Sequence, residues 1–179
     1  MKAATGAVCD AVAALAAELG GTVGVAARSL AGGDGVYLNA DDIFPLASVF
    51  KVPVMVEVMR QVDAGRVRLD ERLELREADK SPGSTLLHCH AGLRPTVRDL
   101  LYLMITLSDN TATDMLWRRV GLGSVNRTMR DLGLVTLDCW MPDREFFLLE
   151  AGLGDEWAGL SSAATVARWR ELQAREGRE

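Results

Sequence analysis

The chain has 179 residues, of which 49% are hydrophobic and 25% are charged, and its formal net charge is −5. This composition is that of one ordinary globular domain with a buried core. The acidic balance and the lack of any Lys/Arg run give no electrostatic support for nucleic-acid binding, and no apolar run reaches the length of a membrane span.

The first forty residues predict a helix followed by a β-hairpin. Apolar residues at helical spacing predict a helix over residues 3–19, which a Gly-Gly pair ends. Residues 22–30 and 36–39 predict two short strands joined by a glycine-rich turn. Two short strands make a poor sheet alone, so a sheet completed by further strands is expected.

The rest of the chain predicts helices joined by loops. A helix is predicted from Ser48 to Ala64, and Thr96 to Asp99 fits a capping box that opens a helix to about Leu107. A hairpin followed by helices predicts an α+β architecture. The other predicted segments are loops over 66–95 and 134–160 and helices over 110–120, 124–132 and 161–175.

The cysteines and histidines give little support for a metal centre or a disulfide framework. Cys9, Cys89 and Cys139 are widely spaced, odd in number and without CxxC spacing. His88 and His90 are the only histidines, which leaves few ligands for a metal ion. We therefore expect no cofactor and no metal.

Ser48 and Lys51 form an S-x-x-K motif at the start of a predicted helix. Residues three apart share a helix face, so the lysine amine can reach the serine hydroxyl. Serine is a weak nucleophile that needs a neighbouring base, and a lysine with a lowered pKa can be that base. The helix N-terminus would also favour a developing oxyanion. The motif alone fits a capping serine and a solvated lysine equally well. About 0.1 occurrences of S-x-x-K are expected by chance in a chain of this composition.

Ser108-Asp109-Asn110 is the more specific motif, with about 0.01 occurrences expected by chance. It lies between two predicted helices. Ser108 could pass a proton, and the Asn110 amide could hold a substrate carbonyl or the lysine. The alternative is simple capping of the following helix. Both motifs in this order favour a catalytic site.

An S-x-x-K followed at a distance by S-D-N resembles the signature of class A β-lactamases and related penicillin-binding enzymes. The similarity is close over residues 10–140 and loose over residues 141–176. The segments that carry it are 44–53, 70–73, 96–100, 104–113, 125–126 and 132–134.

The resemblance implies a two-lobe fold, with a helical lobe and an α/β lobe built on a five-stranded antiparallel sheet. Residues 1–179 would form one incomplete domain of this kind, with only the first two strands of the sheet. Residues 1–44 and 161–179 would belong to the α/β lobe, and residues 45–160 to the helical lobe.

The resemblance also implies roles for the motif residues. Ser48 would be the acylated nucleophile, Lys51 its proton partner and Ser108 a proton relay to the lactam nitrogen. Asn110 would position the substrate. The expected substrate is a small-molecule β-lactam or a related amide or ester.

One departure from the family concerns its third motif, K-T-G, on a late strand of the sheet. This chain has no such triplet, since its only lysines are Lys2, Lys51 and Lys80. We therefore expect a chain truncated at its C-terminus. Two strands leave an unpaired edge, which a partner chain or a dimer could complete.

A second departure concerns the Trp-Glu-Pro-x-x-Asn segment, whose glutamate activates the deacylating water in class A β-lactamases. Residues 140–145 here are Trp-Met-Pro-Asp-Arg-Glu, so Met141 occupies the glutamate position. A thioether cannot accept a proton from water. Glu145 or Asp143 could substitute, and solvated loop charge is the alternative for both. The sequence thus predicts a β-lactamase-like serine hydrolase that is impaired in deacylation.

Other functions stay open at this point. They are an esterase or peptidase of the same fold, a covalent penicillin-binding sensor, and a non-catalytic relic of a shortened gene. The first nineteen residues lack the features of an export signal, so the chain as it stands would be cytoplasmic. The resembled family is usually exported, and the compartment is therefore not predicted.

Overall fold

The structure is a computed structural model and describes residues 2–139 and 141–150. The described residues fall into two compact units, which divide between Leu46 and Ala47. The N-terminal unit contains a helix and a hairpin, and the second unit is built from helices. Within the described residues, no helix is long and apolar enough to cross a bilayer.

In the N-terminal unit, helix α1 spans Lys2–Glu18 and is followed by strands β1 (Val25–Ala27) and β2 (Val36–Leu38). The strands pair antiparallel, and helix α1 packs beside β2. The Asn39 side chain donates a hydrogen bond of 2.9 Å to the carbonyl oxygen of Val23, which ties the two ends of the hairpin together. The predicted helix and hairpin are confirmed, although the strands are shorter than predicted.

The second unit is arranged around helix α4 (Asn110–Val120), which contacts every other α-helix described in this unit. Its residues Met115, Leu116 and Trp117 are almost fully buried, and burial of one such side chain stabilises the fold by about 1.5–3 kcal/mol. The helices of this unit are α2 (Lys51–Asp63), α3 (Val97–Thr106), α4 (Asn110–Val120), α5 (Leu122–Asp131) and α6 (Asp143–Glu150).

Local sequence signals set the ends of two of these helices. Thr96 accepts a hydrogen bond from the backbone N–H of Asp99, and the Asp99 carboxylate accepts one from the backbone N–H of Thr96. This is the predicted capping box of α3. Gly121 separates α4 from α5 at a φ of +89°, where an L side chain would be strained.

Two predicted elements differ from the structure. Residues Ala47–Phe50 form a 3-10 turn, and the α-helix begins at Lys51 rather than at Ser48. Part of the predicted loop over 134–160 is helical, because α6 occupies Asp143–Glu150. The helix predicted over 161–175 lies outside the described residues, as do residues 140 and 151–160 of that loop.

The two threonines of helix α3 give a matched test of the capping box. Thr96→Ala should lower the free energy of unfolding by about 1 kcal/mol, because it leaves the N–H of Asp99 without its acceptor. Thr106→Ala, near the other end of the helix, removes only a bond from an exposed hydroxyl to the carbonyl oxygen of Tyr102. Urea denaturation of both variants checks this, and equal losses would contradict the capping role.

Candidate active site

Ser48 and Lys51 meet where the 3-10 turn passes into helix α2. Lys51 Nζ donates a hydrogen bond of 3.1 Å to Ser48 Oγ. The Ser48 residue is exposed, whereas Lys51 is only 2% exposed. Ala47, directly before the serine, has a φ of +43°, a left-handed conformation that costs a non-glycine residue about 1–2 kcal/mol. The turn therefore presents an open hydroxyl next to a buried amine.

Ser108 completes a triangle of polar atoms with this pair. Its hydroxyl donates to Ser48 Oγ at 2.9 Å and accepts from Lys51 Nζ at 3.0 Å. The Ser108 carbonyl oxygen also accepts from Lys51 Nζ, at 2.9 Å. Ser108 has a φ of +55°, the left-handed region again, between helices α3 and α4. This backbone turn lets one residue offer both its hydroxyl and its carbonyl to the lysine.

The ionisation of Lys51 is set by opposing effects. Oxygen atoms of Ser48, Ser108 and Asn110 surround the amine and accept hydrogen bonds from it. Burial disfavours the charged ammonium more strongly than nearby carboxylates favour it, so the pKa of Lys51 lies below its ordinary value. A lysine in this position can exchange a proton with either serine.

Asn110 is held in place by the loop that faces helix α4. Its Oδ1 accepts a hydrogen bond of 2.5 Å from Lys51 Nζ, and its Nδ2 donates one of 2.6 Å to the carbonyl oxygen of Pro82. Gly83 has a φ of +71°, and a Cβ atom there would approach Asn110 Nδ2 to 2.9 Å. A glycine at position 83 thus permits the close approach of loop and amide.

The same loop is tied to the N-terminus of helix α4 by Asp109. Asp109 Oδ1 accepts from the backbone N–H of Ala112 and caps the helix. Asp109 Oδ2 accepts from the backbone N–H groups of Thr85 and Leu86, at 2.7 and 3.1 Å. The capping that the sequence suggests as the alternative role of this motif is performed by Asp109, which leaves Asn110 free to face Lys51.

A buried carboxylate approaches the lysine from helix α6. Asp143 Oδ2 lies 3.7 Å from Lys51 Nζ, too far for a direct hydrogen bond, and both side chains are less than a tenth exposed. Burial raises the pKa of Asp143 to about 6, although the lysine charge opposes this shift. Asp143 therefore places a buried carboxylate with a raised pKa at the edge of the serine and lysine cluster.

Asp114 positions this carboxylate from helix α4. Its two carboxyl oxygens accept hydrogen bonds from the backbone N–H groups of Asp143 and Arg144, at 2.8 and 2.9 Å. Burial, and then the charge of Asp143, raise the pKa of Asp114 to about 8. The side chain thereby caps helix α6 from a neighbouring helix rather than from its own sequence.

The candidate residues differ in how the structure places them. Ser48, Lys51, Ser108 and Asn110 come together, as their motifs suggest. Glu145 is exposed and lies two positions beyond Asp143 on α6, so the two side chains point in different directions. Of the two carboxylates that the sequence offered, Asp143 is the one beside Lys51.

The sequence offered no signal for the roles of Asp114, Pro82 and Gly83, which act through contacts distant along the chain.

A metal centre finds no support in the described part of the chain, where no three His, Cys, Asp or Glu side chains are grouped as ligands. The arrangement is suited to nucleophilic chemistry, because an accessible hydroxyl contacts a buried amine and a second hydroxyl.

Asp114→Asn should change how the stability of the chain depends on pH. The folded-state pKa of Asp114, about 8, lies above the ordinary value, so the stability that it contributes is lost as pH rises from about 4 to about 8. The free energy of unfolding of the variant minus that of the parent should therefore be larger at pH 9 than at pH 5. The increase should exceed about 1.4 kcal/mol, the equivalent of one pKa unit.

The exposed Asp63→Asn, at the end of helix α2, is the matched control. Urea unfolding at both pH values measures the difference for each variant. A constant difference between Asp114→Asn and the parent would mean that Asp114 titrates normally in the folded chain.

Comparison with known proteins places this chain in a family. A model described as the beta-lactamase enzyme family matches residues 7–167. A beta-lactamase from Streptomyces cellulosae is 33% identical over 160 residues, which cover 87% of this chain and 50% of that protein. The chain thus spans about half the length of this curated relative.

Solved structures agree with that assignment. A beta-lactamase from Sphaerobacter thermophilus is 42% identical with a TM-score of 0.72, over 76% of this chain and 52% of that one. A variant of PBP-A, solved as an acyl-enzyme complex with penicillin G, is 30% identical with a TM-score of 0.65, over 84% of this chain and 61% of that one. The predicted α+β, β-lactamase-like fold is confirmed, and the chain belongs to the beta-lactamase enzyme family.

Proposed function

We propose that this chain is a serine hydrolase of the β-lactamase type, in which Ser48 attacks the amide carbonyl of a β-lactam. The observation that carries the proposal is the triangle of Ser48, Lys51 and Ser108, whose polar atoms lie 2.9–3.1 Å apart. The nucleophile is exposed while its proton partner is buried, which is the combination that acylation requires.

The proton path of acylation follows from these contacts. Lys51 in its neutral form accepts the proton of Ser48 Oγ as this oxygen bonds to the carbonyl carbon. The C–N bond of the lactam then breaks, and the nitrogen takes a proton from Ser108 Oγ. Ser108 recovers its proton from Lys51, 3.0 Å away, so the lysine ends the step neutral.

Asn110 is the proposed substrate-positioning residue. Its amide oxygen is occupied by Lys51, and one hydrogen of Nδ2 is donated to Pro82. A primary amide has a second N–H, and this one can bind a carbonyl oxygen of the substrate. Because Asn110 also contacts the lysine, substrate position and proton transfer are coupled through one side chain.

The relatives support formation of an acyl-enzyme, since the PBP-A variant was solved in that state with penicillin G. Met141 in place of a glutamate supports slow release of the acyl group, as expected from the sequence.

Turnover of a chromogenic cephalosporin separates the two candidate functions. Steady hydrolysis supports a lactamase, and a burst of one product per chain supports a covalent sensor.

Ser48→Ala should abolish covalent labelling by a fluorescent penicillin, because no other group is proposed to attack the lactam. Ser29→Ala, an exposed serine in the turn of the hairpin, is the control and should label like the parent chain. Gel fluorescence and intact mass measure the labelling. Label that persists in Ser48→Ala would rule out this serine as the nucleophile.

The rate of acylation should rise with pH, because Lys51 accepts a proton only in its neutral form. The lowered pKa of Lys51 moves this rise toward neutral pH. Lys51→Ala should reduce the rate by about 10²–10⁴-fold and remove the rise. Stopped-flow labelling at a series of pH values measures both effects, and a pH-independent rate in the parent chain would exclude Lys51 as the base.

A further inference from the structure

Asp143 is a buried titratable group that the acylation step does not use. Its side chain is only 9% exposed, and its Oδ2 atom is buried without a hydrogen-bond partner among residues 2–139 and 141–150. A buried carboxylate oxygen without a hydrogen-bond partner lowers the free energy of unfolding. Such a group in a folded protein calls for an explanation, and a catalytic role is one. Its ion-pair partner in the described part of the chain is Lys51, whose Nζ lies 3.7 Å away and also contacts the proposed nucleophile Ser48.

The position of this carboxylate is fixed by the backbone rather than by its own side-chain contacts. Asp143 is the first residue of helix α6, and Asp114 accepts hydrogen bonds from its N–H and from that of Arg144. Pro142 precedes it, and its carbonyl oxygen accepts a hydrogen bond from the N–H of Phe146. The carboxylate is thus held toward the lysine, while its Oδ2 atom forms no hydrogen bond within the described part of the chain.

Release of an acyl group from a serine needs a base that takes a proton from water. Met141 cannot accept a proton, and Glu145 is exposed on a different face of α6. We propose that Asp143 is the general base of deacylation in this chain, a catalytic residue two positions away from the one that the family pattern assigns. This inference rests on the proposed function of Ser48.

Deacylation begins when a water oxygen bonds to the acyl carbon while one water proton passes to the Asp143 carboxylate. The bond from the acyl carbon to Ser48 Oγ then breaks. Lys51, which is neutral after acylation, accepts the proton from Asp143 and gives a proton to Oγ. The product leaves as the acid with the water hydroxyl, and Asp143, Lys51 and Ser48 return to the forms in which acylation began.

Single-turnover mass spectrometry on the 179-residue chain tests this base. After a pulse of penicillin G, the acyl-enzyme of the parent should decay, whereas Asp143→Asn should acylate and then decay about 10²–10⁴-fold more slowly. Asp138→Asn is the matched control, since it removes an exposed carboxylate shortly before α6. It should decay at the parental rate.

Two further readouts separate a base from a merely structural residue. The deacylation rate of the parent should fall as pH drops through about 6, where Asp143 becomes protonated, and Asp143→Asn should lack this fall. Hydroxylamine is a stronger nucleophile than water, so it attacks the acyl-Ser48 ester with less need of a general base. It is added once free penicillin has been removed. It should therefore release the acyl group from Asp143→Asn as a hydroxamate.

The outcomes distinguish the two proposals. If Ser48 of the parent chain gains no acyl mass, the proposed function fails, and the role of Asp143 fails with it. If Ser48 is acylated but Asp143→Asn deacylates at the parental rate, only the role of Asp143 is overturned. A parent chain that never releases its acyl group, or slowing in Glu145→Gln but not in Asp143→Asn, overturns it as well.

Discussion

The candidate site depends on one buried ammonium group. Removing a lysine from water costs several kcal/mol unless oxygen atoms replace the lost hydration. Lys51 obtains them from the turn before α2, from the link between α3 and α4, and from the first residue of α4, with Asp143 of α6 nearby. Elements far apart along the chain therefore converge on one nitrogen atom. The requirement to surround this nitrogen brings both serine hydroxyls within hydrogen-bonding distance of each other.

Helix α4 is the element that organises this convergence. Asn110 and Asp114 are four residues apart, so they lie on the same face of the helix. Asn110 binds the lysine, and Asp114 holds the N-terminus of α6. One helical face thereby positions both the polar cluster and the carboxylate next to it. Most other residues of α4, including Trp117, are buried and keep this face fixed against the neighbouring helices.

Much of the fold follows from local signals. The capping box at Thr96 and the helix predicted over 110–120 depend on residues close in sequence, and both appear as predicted. Helix α6 was not predictable in this way. Its Phe-Phe-Leu-Leu run has no helical period, and the group that caps it, Asp114, lies about thirty residues earlier on another helix. Likewise, no pattern in the sequence connects Gly83 with Asn110, whose contact exists only in the folded chain.

The sequence by itself determined the candidate nucleophile and its candidate partners, because S-x-x-K places two side chains three residues apart and S-D-N adds a second short-range group. It also offered Asp143 and Glu145 as carboxylates near the expected site. Only the tertiary structure separated them, since Asp143 lies 3.7 Å from the Lys51 amine and Glu145 is exposed. Side chains two positions apart on a helix point in different directions, and the direction that meets Lys51 is fixed by the contact of α6 with Asp114. The spacing of residues in a motif is a local property, whereas the orientation of a helix is set by its packing.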